Sequence, residues 1–298
     1  MILGAGGQLG SAFITKLSQF NLEFRSFNHS ELDITNDSAV GRVIEAYQPD
    51  FVINAAAWTR VDEAELYPLE VLQINKFAPE ILARACESIS AKFIHFSSDY
   101  VFSGGNGSPW SELDGTSPIS LYGKSKADGE KLVLDSYKSG SYVIRTAWLY
   151  GSQGKNFVKT ILGLGLKNED KIQVVNDQLG QPTSALHLVD QVLLMLHKDA
   201  PPGIYHGTNS GEATWYQFAE EIFKLGKLDS MRLIPVESIS KTGSADRPSY
   251  SVLSHDRWVE VGMKPMSNWR KALSECFPQI INQLRLEAQG NGNSTTDH

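Results

Sequence analysis

Five short apolar runs mark the first half of the chain: Met1–Leu3, Leu22–Phe27, Phe51–Ile53, Lys92–Phe96 and Tyr142–Arg145. Between them the apolar residues recur at helical spacing. Leu9, Phe13 and Leu17 lie four apart, and Ile74, Ala78, Ile81, Leu82 and Ala85 follow steps of three and four. This alternation constrains the fold more than any other feature. Strands that are nearly unbroken apolar runs need cover on both faces, and the intervening helices supply it. A parallel sheet is expected. The right-handed preference of its crossovers makes it a doubly wound α/β fold of Rossmann type, with a smaller C-terminal substrate-binding domain.

From about Gly151 the rhythm loosens and prolines become frequent. The expected division is a dinucleotide-binding domain over 1–150, to which 184–210 returns, and a substrate domain made of 151–183 and 211–286. The Gly/Asn/Ser/Thr-rich stretch 287–298 is expected to be a disordered tail. Composition narrows the function classes. With 27 Lys+Arg against 34 Asp+Glu, the net charge of −7 argues against a nucleic-acid partner, which needs a basic face. Two cysteines, Cys86 and Cys276, rule out a disulfide framework and fit a reducing, cytoplasmic setting. No apolar run reaches the ~18–20 residues of a membrane span, and Met1 opens onto glycines rather than a signal peptide.

The first strand-to-helix turn reads Gly4-Ala5-Gly6-Gly7-Gln8-Leu9-Gly10. Gly4 permits the tight bend, Gly7 lets a pyrophosphate approach the backbone, and Gly10 lets the helix pack with its N-terminus toward the phosphates. A loop that merely needs positive φ produces a similar pattern, so both readings stand at this point. Cofactor choice belongs to the end of the second strand, where a carboxylate would hold the ribose diol of NAD. Here the order is Phe27-Asn28-His29-Ser30, with no acid before Glu31, and His29 or Arg25 can help neutralise a 2′-phosphate. NADPH is therefore slightly favoured over NADH. Asp33 and Ile34 offer adenine an acceptor and an apolar face, unless Asp33 only caps the next helix.

Tyr122-Gly123-Lys124-Ser125-Lys126 is Tyr-x-x-x-Lys, which on a helix sets phenol and ammonium on one face, one turn apart. An unperturbed tyrosine has a pKa of about 10, and a cation nearby is expected to pull it toward working pH. Alone the spacing arises by chance. Its company changes that: Phe96-Ser97-Ser98-Asp99-Tyr100 and Asn54-Ala55-Ala56-Ala57-Trp58-Thr59 both follow buried strands. Ligands bind beyond the carboxyl ends of such strands, which puts Ser98 where it can bond a substrate oxygen.

At this point the chain resembles the extended short-chain dehydrogenase/reductase superfamily, and within it the dTDP-4-dehydrorhamnose reductase family. The stretches that carry the likeness are GAGGQLG (4–10), NAAAWTRVDEAE (54–65), FSSDYVFSG (96–104), YGKSK (122–126), RTAWLYG (145–151), NDQLGQPT (176–183) and RPSYSVL (247–253). The resemblance implies reduction of the C4 ketone of a dTDP-sugar, dTDP-4-dehydro-L-rhamnose, by NADPH or NADH. It makes Tyr122 the proton donor, Lys126 the residue that holds the nicotinamide ribose and tunes Tyr122, and Ser98 the substrate contact with Asp99 beside it. Trp148 is implied to pack against the sugar. Gly7, Gln8 and Leu9 are implied to meet the pyrophosphate, Asp33 and Ile34 the adenine, and Ala57, Trp58 and Thr59 the nicotinamide side. Asn75 stands where the superfamily places a supporting asparagine, although a buried polar helix residue bonding to backbone reads the same way. Asn176, Asp177 and Gln178 suit nucleotide-sugar recognition. Arg247 is either a diphosphate clamp or one half of a surface salt bridge.

Two departures stand out. Only Met1-Ile2-Leu3 precede Gly4, where relatives carry five or six apolar residues, and the expectation is a clipped first strand with the start lying upstream. Trp58 replaces the His or Tyr usual before Thr59. His187 and the other histidines match no metal-ligand pattern such as H-E-x-x-H, so no metal is assigned. A homodimer is compatible with all of this. The competing functions are a 4-ketoreductase of the 6-deoxytalose type and a non-catalytic NADP-binding regulatory subunit, like the β subunit of methionine adenosyltransferase.

Overall fold

The apolar runs of the first half pair side by side in one parallel sheet. A computed structural model of the chain describes residues 1–20, 22–167, 169–239 and 244–293. In chain order the first half comprises β1 (Ile2–Leu3), α1 (Gln8–Leu17), β2 (Ser26–Phe27), α2 (Asp37–Tyr47), β3 (Phe51–Asn54), α3 (Val61–Ala64), α4 (Pro68–Leu72), α5 (Ala78–Ser88), β4 (Lys92–Ser98), α6 (Leu121–Ser136) and β5 (Ser141–Thr146). A sixth strand, Gly203–His206, arrives from the second half and pairs with β5. The spatial order runs from that strand through β5, β4, β3 and β1 to β2, all parallel. The direction of winding reverses between β1 and β3, and that reversal is where such sheets open a crevice at their carboxyl edge.

Successive strand residues point to opposite faces, and the alternation assigns each its cover. Ile2, Ile53, Ile94, Tyr142 and Ile144 meet α1 and the helix Ala185–His197 on one side. Leu3, Val52, Phe93 and Val143 meet α2, α5 and α6 on the other. β1 is only two residues long, yet both are fully buried. The Met1 ammonium donates to the Phe51 carbonyl (2.6 Å). A cavity of about 590 Å³ opens nearby, lined by Met1, Leu17, Phe24, Tyr47, Phe51 and Leu196. It lies at the amino end of the strands, opposite the crevice.

The second half forms its own core, where Val158, Leu162, Phe218, Ile222, Phe223 and Trp269 surround the parallel pair Ile172–Val175 and Leu233–Val236. Thr214 starts the helix Trp215–Gly226 with a reciprocal cap from Gln217. One expectation needs correction. The stretch from Glu287, read as disordered, continues the helix Trp269–Asn293. Ile281 and Leu284 pack on the second core, and Lys159 donates to Glu287 (2.5 Å), so the helix is anchored beyond the point where its composition turns polar. Residues 294–298 lie outside the described residues.

Candidate active site at the carboxyl edge of the sheet

The glycine turn lies at the winding reversal. Gly4 has φ +79°, and a Cβ there would come within 2.6 Å of the Ala56 nitrogen, so the loops after β1 and β3 touch only because Gly4 has no side chain. A Cβ on Gly10 would sit 2.2 Å from the Gly4 carbonyl oxygen. Gly10→Ala is therefore expected to lower stability by about 1–3 kcal/mol, read as a shifted urea midpoint; an unchanged midpoint would mean that the turn relaxes without strain. The N-cap of α1 is Gly7, and no side chain caps it. The helix N-terminus thus presents bare amides beside a loop with open space above Gly6. Leu9 packs its side chain into the core, so at the turn only its backbone remains. The Gln8 amide donates to the Lys155 carbonyl (3.1 Å), tying the turn to the second half instead of projecting freely.

At the end of β2 the structure differs from expectation. The Glu31 carboxylate folds back to accept from the Asn28 backbone N–H (2.8 Å), so an acid does sit at this strand end, with that oxygen engaged by the chain's own backbone. His29 is exposed. Asp33 accepts from the Thr35 amide and hydroxyl (2.9 and 2.8 Å), and the Thr35 amide holds its pKa below the usual carboxylate range. The cap of α2 is Asn36, not Asp33. Ile34 is buried in the core against α2, so the apolar face expected to meet adenine is largely taken.

After β3, Ala57 and Trp58 are half-buried and Thr59 is exposed. Asn75 is buried on the π-helical turn Gln73–Phe77 and holds the Trp58 backbone from both sides, accepting from its N–H (2.9 Å) and donating to its carbonyl (3.0 Å). It also donates to the Ser125 hydroxyl (3.1 Å), which joins this loop to α6. The indole of Trp58 lies under the Arg60 guanidinium at 3.9 Å.

Ser98, Tyr122 and Lys126 come together where β4 ends against α6. Ser120 caps α6 by accepting from Gly123 (3.2 Å). A Cβ on Gly123 would stand 2.1 Å from the Tyr100 carbonyl oxygen, so the bare glycine lets the helix close on the turn after β4. The Tyr122 ring meets Tyr100 edge-on at 5.5 Å. Burial pushes the Tyr122 phenol up to about 12, opposed in part by the nearby Ser98 hydroxyl. This corrects the expectation of a phenol already lowered by Lys126. The Lys126 ammonium instead donates to the Phe96 carbonyl (2.7 Å), and burial lowers its own pKa to about 8 against the pull of Glu130 one turn on.

Glu130 is in turn gripped by Arg145 through contacts of 2.7, 3.0 and 3.2 Å, both side chains almost wholly enclosed. The far side of Arg145 faces His206 Nε2 at 3.4 Å. Nothing in the local sequence pattern marks this buried pair.

The second half supplies the opposite wall. Trp148 has φ +45° and stacks on Trp215 at 3.6 Å, with Gly180 so close beneath that a Cβ would reach within 2.6 Å of the indole. Asn176 accepts from the Thr214 hydroxyl (2.7 Å), Asp177 accepts from Ser238 (2.7 and 2.9 Å), and Gln178 is half-buried beside them. The neighbouring Gln181, not singled out from sequence, bonds Leu253 in both directions and accepts from Thr208 (2.9 Å). Arg247 is engaged by Asp62 through contacts of 2.8 and 3.0 Å, so the salt-bridge reading describes its present partner. That pair ties α3 to the C-terminal segment.

A family model described as the RmlD substrate binding domain matches residues 1–282. The chain is 40% identical over 294 residues to a dTDP-4-dehydrorhamnose reductase of Streptomyces griseus, covering 97% of this chain and 96% of the relative. It is 39% identical over 280 residues to a dTDP-4-keto-6-deoxy-D-glucose reductase of Streptomyces niveus, covering 94% and 96%. Among solved structures, a dTDP-4-dehydrorhamnose reductase from Bacillus anthracis in complex with NADP superposes with a TM-score of 0.88 at 34% identity, covering 93% of this chain and 96% of that one.

Proposed function

The chain belongs to the RmlD substrate-binding domain family, and from that premise we propose that it reduces the C4 ketone of a dTDP-4-dehydro-6-deoxyhexose with NADPH. The substrate of this reading is dTDP-4-dehydro-L-rhamnose and the product dTDP-L-rhamnose. One observation carries it: Ser98, Tyr122 and Lys126 are buried together beyond the carboxyl end of β4, where an open parallel sheet takes its ligands. The residues present also suit a dinucleotide, because the uncapped N-terminus of α1, the positive φ of Gly4 and the open space above Gly6 form a cradle for phosphates.

When bound, NADPH supplies the hydride to the ketone carbon. The ketone oxygen then carries the charge and needs a proton, and Tyr122 is the group placed to give it. Its high pKa keeps the phenol protonated until that moment. Ser98 steadies the oxygen by hydrogen bonding. Lys126 remains an ammonium at neutral pH because Glu130 partly offsets its burial, and that charge stabilises the tyrosinate once the proton has left. Trp148, backed by Trp215, offers the sugar a flat apolar wall. Arg247 exchanges the Asp62 carboxylate for the substrate diphosphate, a fork geometry that suits either anion.

The name of the S. niveus relative favours a second reading, in which the substrate is the unepimerised 4-keto-6-deoxy-D-glucose. The purified chain is expected to oxidise NADPH with dTDP-4-dehydro-L-rhamnose, with the L-rhamno product identified by NMR. Turnover only with dTDP-4-keto-6-deoxy-D-glucose would select the second reading, and none with either sugar would overturn both.

A further inference from the structure

From the enclosed carboxyl beside Ser98 we infer that Asp99 is a positioning residue: its protonated form turns the Ser98 hydroxyl toward the substrate ketone, and its ionised form turns that hydroxyl away. The inference rests on the reading of Ser98, Tyr122 and Lys126 as the reacting groups. Asp99 opens the 3-10 turn Asp99–Val101 and is 2% exposed. Its Oδ1 lies 3.0 Å from Ser98 Oγ. Oδ2 has no partner of normal hydrogen-bond geometry among the described residues, although the Ser251 hydroxyl is close enough to favour the anion.

The protons available to Ser98 and Asp99 decide which way the hydroxyl points. Ser98 Oγ already accepts from the Tyr100 amide (3.2 Å), and a serine hydroxyl owns one proton. A carboxylate can only accept. When Asp99 is ionised, the Ser98 proton is therefore committed to Oδ1 and Ser98 has none to offer a ketone oxygen. When Asp99 is protonated, its O–H donates to Ser98 Oγ and the Ser98 proton is released toward the substrate. Tyr122 then transfers its own proton to the alkoxide, supported by a second donor.

The surroundings hold the carboxyl within reach of both forms. Facing it are the Tyr122 phenol from α6, the Tyr100 phenol on its own turn and the Ser251 hydroxyl from the C-terminal segment. Arg247 lies beyond Tyr100, already matched by Asp62, and Lys126 points at the Phe96 carbonyl. With no cation against it among the described residues, burial raises the Asp99 pKa to about 6. The sign follows: the donating arrangement of Ser98 is present below that value and is lost as pH rises through it. A seated substrate excludes more water and moves the titration upward.

The test measures kcat against pH for the wild type, Asp99→Asn and Ser98→Ala. The wild type is expected to fall from its low-pH rate to that of Ser98→Ala as pH rises through the titration. Asp99→Asn, whose amide can donate to Ser98 and does not ionise, should hold the low-pH rate of the wild type within about threefold and lose that descending limb. A separate limb from Lys126 near pH 8 should stay in both. Asp99→Asn falling as far as Ser98→Ala at every pH, or keeping the lower limb, would overturn the inference. Infrared spectroscopy supplies a readout without turnover: a protonated carboxyl band should vanish across the same pH range, move to higher pH in Ser98→Ala, and be absent in Asp99→Asn. If no keto sugar is turned over, the reading of the site fails, while the infrared titration still decides whether Asp99 and Ser98 share a proton as stated.

Discussion

Tyr122→Phe is expected to lower kcat by about 10²–10⁴-fold while NADPH affinity changes little. The substitution deletes one oxygen and keeps the ring, which packs edge-on against Tyr100 at 5.5 Å and fills the contact between α6 and the turn after β4. Stability should therefore hold. The loss falls on the chemical step because no other described group takes over the transfer: Lys126 is turned to the Phe96 carbonyl, Asp99 reaches Ser98, and Ser98 is a far weaker acid than a phenol. Steady-state kinetics and a fluorescence titration with NADPH separate the two effects. Turnover within threefold of wild type would remove Tyr122 from the reaction.

Arg145→Met is expected to lose about 3–5 kcal/mol of stability, a fall in Tm of roughly 6–20 °C for a chain of this size. The reason lies in what remains. Glu130 is almost wholly enclosed and relies on the guanidinium for three contacts. Without Arg145 it must either ionise with no partner or take up a proton, and both are costly in that interior. The double variant Glu130→Leu/Arg145→Met should recover much of the loss, since a buried pair replaced by apolar side chains is often neutral. Calorimetry on the single and double variants decides between this account and simple loss of packing around Phe102, which faces the guanidinium at 4.9 Å. No recovery in the double variant would favour packing. Glu130→Leu carries a second consequence, because the Lys126 ammonium then loses the charge that offsets its burial.

The parts of the site that depend on local spacing were legible in the sequence, and those that depend on distant partners were not. Gly4, Gly7 and Gly10 report their turn because backbone geometry leaves few residue types for it. Tyr122 and Lys126 share a helix face by spacing alone. The direction of the Tyr122 shift is not legible from spacing, which says nothing about the desolvation that raises the enclosed phenol or about the Phe96 carbonyl that takes the Lys126 ammonium. Asp62 and Arg247 are 185 residues apart and carry no mutual signal. Glu31 looked too far along to serve the end of β2, yet a turn built on Asn28 returns its carboxylate there. The fold class followed from the alternation of strand and helix. The helical continuation past Glu287 did not, since Lys159 and the second core decide it.

The strand Gly203–His206 closes the sheet beside β5 although more than fifty residues intervene. During synthesis, then, β5 leaves the ribosome with one edge bare and stays so until that later strand has emerged. An unpaired edge rich in Val and Ile is a template for pairing with another nascent chain. The same dependence sets where the gene can be cut: a fragment ending near residue 150 keeps the whole glycine turn and yet lacks the strand that covers Tyr142, Val143 and Ile144. Chimeras that exchange substrate specificity within this family need to carry Gly203–His206 with the first lobe, and a junction placed after β5 is expected to yield aggregate.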